Sequence, residues 1–256
     1  MLQRWVTLIM LVGGLSAHSL FAAPLATTLE TRFANNVNQL RFPEPVRLDH
    51  AVIQTLQHYQ LGMQDVDWVS SGLFDLSHAF LFKRDVLLKI VEMQSLAPES
   101  QRVHWSSLDK QLRSSDFAKR IFTPVDPDWT RIAPQDNPRL HGQWLLNLIK
   151  KPNYVSVYGA VKKPGNIKWV NRQSAKDYAQ AAGLVDEQIS EIVVIQPDGV
   201  VQKHSVAYWN MTFAEVAPGA IVYVPMPLHD SSFYPDTPST DANQLVIELL
   251  RNRLPL

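Results

Sequence analysis

Polar and apolar positions alternate most clearly from Tyr154 to Trp169. Val155, Val157 and Gly159 alternate with Ser156, Tyr158 and Ala160, a two-residue period that predicts a strand. Pro164-Gly165 predicts a type II turn, with Pro164 setting φ and Gly165 supplying the positive φ that follows. A second strand then runs toward Trp169. Ser174 caps a predicted helix from Ala175 to about Ala182, with Gly183 as its C′ residue. Ile192 to Ile195 and Val200 to Ser205 predict strands around a Pro197-Asp198-Gly199 turn, and Pro218-Gly219 leads into a last strand, Ile221 to Val224. Two strands, a helix across one sheet face and further strands predict a small α+β grasp over residues 151–227.

The first half is less regular. Leu25, Leu29, Phe33 and Val37 fall four apart, a weak amphipathic pattern that Phe42-Pro43-Glu44-Pro45 breaks. Val46 to Leu48 predicts a short strand, and Asp49 an N-cap for a helix from about His50 to Tyr59. Phe74, Ala79, Phe82, Val86, Ile90 and Met93 lie at near-helical spacing, and Pro98 closes that helix. A second helix, capped by Ser106 or Ser107, carries Leu108, Leu112, Phe117 and Ile121. Together they predict a helical hairpin over about 73–122. Thr130 to Ile132 and Gln143 to Leu148 read as strands, and Lys150-Lys151-Pro152 separates the two halves. Residues 140–148 echo 217–225 as a glycine followed by an apolar strand, and the opening near Val46 resembles 167–182. Two tandem copies of one fold, the first (23–150) interrupted by the hairpin, and two unrelated α+β halves both fit this pattern.

Residues 228–256 read as a proline-rich linker and a last amphipathic helix capped by Asp241 or Thr240. Its stripe is Ala242, Leu245, Val246, Leu249 and Leu250. About twelve residues span only about 18 Å, short of a bilayer core. Such a helix packs on its own domain, or docks peripherally on a partner protein or a membrane surface. At the other end, Arg4, the apolar run Trp5 to Leu15 and the small residues up to Ala22-Ala23 predict a cleavable signal peptide over 1–22 rather than an uncleaved anchor. The expected location is the periplasm.

Hydrophobic residues at 46% and charged residues at 19% mark a globular chain, and 256 residues suffice for two modest domains. Lys plus Arg and Asp plus Glu balance at 24 each with no basic run, which argues against nucleic acid as a partner. Without cysteine there is no disulfide framework and no site for a lipid anchor.

Catalytic signatures are thin. The histidines follow no metal-ligand spacing, and phosphate loops, dinucleotide fingerprints and nucleophile elbows are missing, so no catalytic residue, metal or cofactor is expected. Asp126-Pro127-Asp128 with Asp136 offers the carboxylate pair that glycoside hydrolysis requires, but proline-flanked aspartates are commonly turn formers. Arginine forks and aromatic faces suit sugars, acidic ones above all. Arg120, Trp129, Arg131 and Arg139 are therefore the candidate ligand- or partner-binding residues, Arg131 alternatively forming a structural ion pair with Asp126 or Asp128. Tyr158, Trp169, Tyr208 and Trp209 read as half-buried sheet residues or as a sugar platform.

Val155-x-Val-x-Gly159-x-Val161-x-x-Pro164-Gly165, the 175–183 helix and Ala217-Pro218-Gly219 to Pro225 resemble the soluble-ligand-binding β-grasp repeats of polysaccharide export proteins. The order of parts, from signal peptide without lipobox to terminal amphipathic helix, resembles the capsule-biosynthesis GfcC family. That resemblance implies two tandem SLBB-like β-grasp domains, similar to the periplasmic domains of the Wza-type exporter. It also implies a non-enzymatic periplasmic accessory role in group 4 or O-antigen capsule assembly or export, with polysaccharide or the outer-membrane export machinery as partner. The lipidated cysteine and a pore-building helix of the exporter itself are lacking. A periplasmic enzyme acting on the same polymer, or a generic soluble-ligand receptor, is the alternative.

Overall fold

The structure, a computed structural model, describes residues 26–207, 213–227 and 241–255. The expected signal segment, Tyr208, Trp209 and the linker residues 228–240 lie outside the described residues. Strands β1 (Thr27–Phe33) and β2 (Asn36–Phe42) form an antiparallel hairpin where the four-residue spacing suggested a helix. Burial along β1 alternates strictly, with Thr27, Leu29, Thr31 and Phe33 facing inward. Two of the four are threonines whose hydroxyls are satisfied, Thr27 Oγ1 donating to the Leu140 carbonyl at 2.6 Å and Thr31 Oγ1 to the Tyr59 hydroxyl at 3.2 Å. A count of apolar residues alone therefore sees every fourth position of a two-residue repeat.

Strand β3 (Val46–Arg47) leads directly into α1 (Leu48–Tyr59), which packs Leu48, Ala51, Val52 and Leu56 toward the first core. Strand β4 (Gly72–Asp75) takes Phe74 out of the predicted helix. The helical hairpin is α2 (Phe82–Leu96) and α3 (Glu99–Arg113). Pro98 both ends one helix and opens the next, its carbonyl accepting from the Gln101 and Arg102 amides at 2.9 and 3.1 Å. Proline suits a helix start because the first turn needs no donor from it. Phe117 and Ile121 fall outside α3, Ile121 in strand β5 (Lys119–Ile121). Residues 130–132 are helical rather than extended: α4 (Pro127–Ile132) is N-capped by Asp126, whose carboxylate accepts from the Asp128 amide at 2.9 Å, and has Pro127 at its first position. Strands β6 (Arg139–Leu140) and β7 (Gly142–Leu148) complete this half.

The second half contains β8 (Tyr154–Gly159), β9 (Gly165–Lys168), α5 (Ala175–Ala181), β10 (Glu191–Ile195), β11 (Val201–Ser205) and β12 (Ile221–Val224). Val157 pairs with Gly165, so the reversal occupies residues 158–164 and Gly165 opens the return strand instead of forming a tight turn. The first sheet runs β2-β1-β7-β4-β5 and the second β9-β8-β12-β10-β11. Each has one parallel pair, β1 with β7 and β8 with β12, and three antiparallel pairs at matching places. The helical hairpin joins β4 to β5 where the Pro197-Asp198-Gly199 turn joins β10 to β11.

In the second sheet every residue of β12, and all but the first of β8 and β10, is buried. Helix α5 covers one face; α3 and the last helix, α6 (Ala242–Arg251), cover the other, with α2 packed on α6. Val86, Ile90, Trp105, Leu108 and Leu112 of the hairpin thus share a core with the second sheet. Val246, Leu249 and Leu250 of α6 are buried in it too. That corrects the expectation of a peripheral membrane or protein contact through this stripe, because the protein itself covers it. Asn243 fixes the helix, its Oδ1 accepting from the Tyr223 hydroxyl at 2.6 Å and the Met226 amide at 2.8 Å, its Nδ2 donating to the Met226 carbonyl at 3.0 Å.

Beyond α6 the tail ties the halves together. The Asn252 carbonyl accepts from the Ala118 amide at 3.1 Å, Asn252 Oδ1 from the Arg120 amide at 2.9 Å, and the Leu254 amide donates to the Asp116 carbonyl at 2.9 Å. Leu254 then enters a small cluster with Phe74, Ala118 and Leu145. No helix among the described residues is long and apolar enough to cross a membrane.

Asn243→Ala strands a buried tyrosine hydroxyl and two backbone groups, so urea unfolding is expected to show a loss of about 3 kcal/mol; a midpoint unchanged from wild type contradicts the role assigned to it. His204 is buried, and desolvation lowers its pKa. The unfolded chain then takes up the proton first as pH falls through about 6.5, so the stability present above that pH is lost below it. Chemical denaturation from pH 7.5 to 5 should show this loss in wild type and a flatter profile in His204→Gln.

Candidate functional site

Four separate segments meet in a cleft of about 490 Å³ between the two halves. They are the loop 68–71, the run 120–129 from β5 into α4, the turn 198–200 and the end of α6. Phe122 and Trp129 stand 45% and 49% exposed at its walls, with Trp68 half-buried beside them. Exposed aromatic rings in a concave surface are unusual enough to suggest a ligand.

Two guanidinium groups flank Phe122. That of Arg251 lies 4.3 Å and that of Arg120 5.7 Å from the ring centroid. Arg251 is anchored by Nε donating to the Gly199 carbonyl at 3.0 Å and Nη1 to Glu248 at 2.7 Å. Gly199 has φ 89°, and a Cβ there would stand 2.4 Å from Phe122 Cε1, so only glycine lets the turn meet the ring. Arg120 reaches past Gly72 to the Ser71 carbonyl, 3.5 Å from Nη2, with no carboxylate in direct contact. Burial lowers its pKa, Asp198 opposes this and Arg251 adds to it, leaving a value of about 10. The group is still charged near neutral pH.

Of the four residues expected from sequence, the structure brings Arg120 and Trp129 into this cleft. Trp129 is held there by its indole N–H donating to Asp136 Oδ2 at 2.9 Å. Arg131 points elsewhere, 70% exposed and paired with Asp128 at 2.9 Å one helical turn away; such a pair contributes little. Arg139 is exposed on β6 opposite Arg47, away from the cleft lining. Tyr158, in β8, is buried with its hydroxyl 2.9 Å from Ser115 Oγ, and Trp169, just past the end of β9, donates to the Val216 carbonyl at 2.9 Å. The carboxylates considered for hydrolysis all have other partners: Asp126 caps α4, Asp128 pairs with Arg131 and Asp136 holds Trp129. Sequence reasoning did not find Trp68, Phe122, Gly199 or Arg251, which lie up to about 180 positions apart. The available signal was the Asp198-Gly199 turn, read only as a reversal.

Residues 163–255 match the family model described as Capsule biosynthesis GfcC C-terminal. Over 171 residues, 66% of this chain and 68% of the relative, the sequence is 28% identical to Uncharacterized protein YjbG of Escherichia coli (strain K12). The matched region contains the second sheet from β9 onward, the turn that carries Gly199, and all of α6 with Arg251. Over residues 163–255, then, the chain is similar to the C-terminal part of the GfcC capsule biosynthesis proteins.

Proposed function

We propose that this protein is a non-enzymatic periplasmic accessory in capsule or exopolysaccharide assembly or export, and that it holds the polysaccharide chain in the cleft between two tandem β-grasp domains. The match of residues 163–255 to the GfcC C-terminal family model supports a role in capsule assembly. The matching strand order and pairing of the two sheets support the tandem grasp. The observation that carries the binding reading is the cleft itself, which Trp68, Phe122 and Trp129 line together with the Arg120 and Arg251 guanidiniums that flank Phe122. Sugar rings stack their apolar C–H faces on aromatic rings, while planar forks take the hydroxyl and acidic groups at the edges. Of the carboxylates in the cleft lining, Asp126 caps α4 and Asp198 accepts from the Val200 amide at 2.9 Å, while the nearby Asp128 and Asp136 hold Arg131 and the Trp129 indole, an arrangement suited to shape and not to proton transfer.

Calorimetry with polysaccharide purified from the surface of the producing cells tests this. Wild type is expected to bind, and Trp129→Ala and Phe122→Ala each to weaken binding about tenfold, on the order of 1.4 kcal/mol for one lost aromatic face. Arg131→Ala should leave affinity within about twofold, because its exposed pair lies outside the cleft. Equal binding by all variants, or turnover of the polymer by wild type, would sink the reading.

A further inference from the structure

Behind the cleft, and sharing Arg120 and Arg251 with it, lies a narrow chamber of about 30 Å³. A cavity holds one water at roughly 10–15 Å³, so there is room here for a group of a few heavy atoms and not for a sugar ring. Its lining adds a third guanidinium, that of Arg253, only 8% exposed. Arg253 Nη1 donates to Ser156 Oγ at 3.1 Å, and its guanidinium lies 5.5 Å from the Tyr158 ring centroid. Among the described residues no carboxylate lies within ion-pair distance of Arg253 or Arg120, and the only such partner of Arg251 is Glu248. Ser70 also lines the chamber. It is 3% exposed, and its Oγ is buried without any hydrogen-bond partner. That oxygen lies 3.3 Å from where a Cβ on Gly219, another lining residue, would stand.

Two features of this chamber are unfavourable among the described residues: a guanidinium buried away from a counter-charge is poorly compensated for its lost hydration, and so is a buried hydroxyl without a hydrogen-bond partner. A single anionic group placed among them relieves both. A carboxylate matches the planar forks of the arginines, accepts from the serine hydroxyl and fits the volume. Burial is also the largest cause of the lowering of the Arg120 pKa to about 10, with Asp198 offsetting it and Arg251 adding to it.

We propose that this chamber is the anion subsite of the cleft, and that it takes the carboxylate of an acidic sugar whose ring lies between Phe122 and Trp129. The inference rests on the polysaccharide-binding reading and narrows it to acidic polymers. It makes Arg253 and Ser70, which the aromatic cleft does not include, the residues that discriminate charge.

The test uses the full chain and the same surface polysaccharide in two forms, native and with its carboxylates reduced to alcohols by carbodiimide and borohydride, at one fixed salt concentration. Wild type is expected to bind the native form at least tenfold more tightly than the reduced form. Arg253→Gln and Ser70→Ala should each shrink that ratio, Arg253→Gln to within about twofold, while Trp129→Ala weakens both forms alike. Ser70→Ala removes one small atom and keeps the test open if Arg253→Gln does not fold. Equal binding of both forms by wild type overturns the anion subsite and leaves the cleft reading standing. Binding of neither form overturns both. A ratio unchanged in both variants, or acetate alone displacing the native polymer at equal carboxylate concentration, also overturns the subsite.

Discussion

The structure depends on one constraint: the central strands of the second sheet are apolar on both faces. Val155, Val157, Ile192, Val194, Val222 and Val224 on one face, and Tyr158, Val193, Ile195, Ile221 and Tyr223 on the other, leave no side for water. A sheet of this kind needs cover above and below. Its own segment supplies only α5. The second cover comes from elsewhere in the sequence, from the α2–α3 hairpin inserted in the first sheet's connection and from α6 at the far end. The hairpin is therefore better understood as the missing layer of its neighbour than as an appendage.

That arrangement also positions the cleft. Because α6 must lie on the second sheet, Arg251 emerges at its last turn beside the 197–199 turn, and the residues after it return between the sheets. Asn252 then bonds the backbone of β5, the strand that presents Arg120 and leads to Phe122. The packing of one apolar sheet thus brings three arginines from two distant segments to one place. Like charges do not assemble without cause, and here the surrounding cores and backbone bonds hold them. The candidate site stores part of the energy that the cores release.

Much of the second half was legible because its central strands are short β-branched apolar runs bounded by proline and glycine, and because Ser174 and Gly183 bracket α5 with ordinary capping chemistry. The first half was harder wherever polar residues occupy inward positions or proline has two uses. Thr27 and Thr31 disguised β1, Pro98 concealed the start of α3, and Asp126-Pro127 began a helix where a turn before a strand was expected. Of the candidate site, Arg120 and Trp129 were visible as residue types near one another in sequence. Arg131 and Arg139 carried the same signal and lie elsewhere, because one helical turn and one short strand point them away.

The sequence by itself determined the local elements of the second half, the echo between residues 140–148 and 217–225, and a last helix with one apolar stripe. These follow from periodicity and caps, which act over a few residues. Only the tertiary structure decided what that stripe touches, that the hairpin serves the other sheet, and that Arg120, Arg251, Arg253 and Ser70 line one chamber. Those outcomes depend on which apolar faces find each other across more than a hundred residues, and no local pattern encodes that choice.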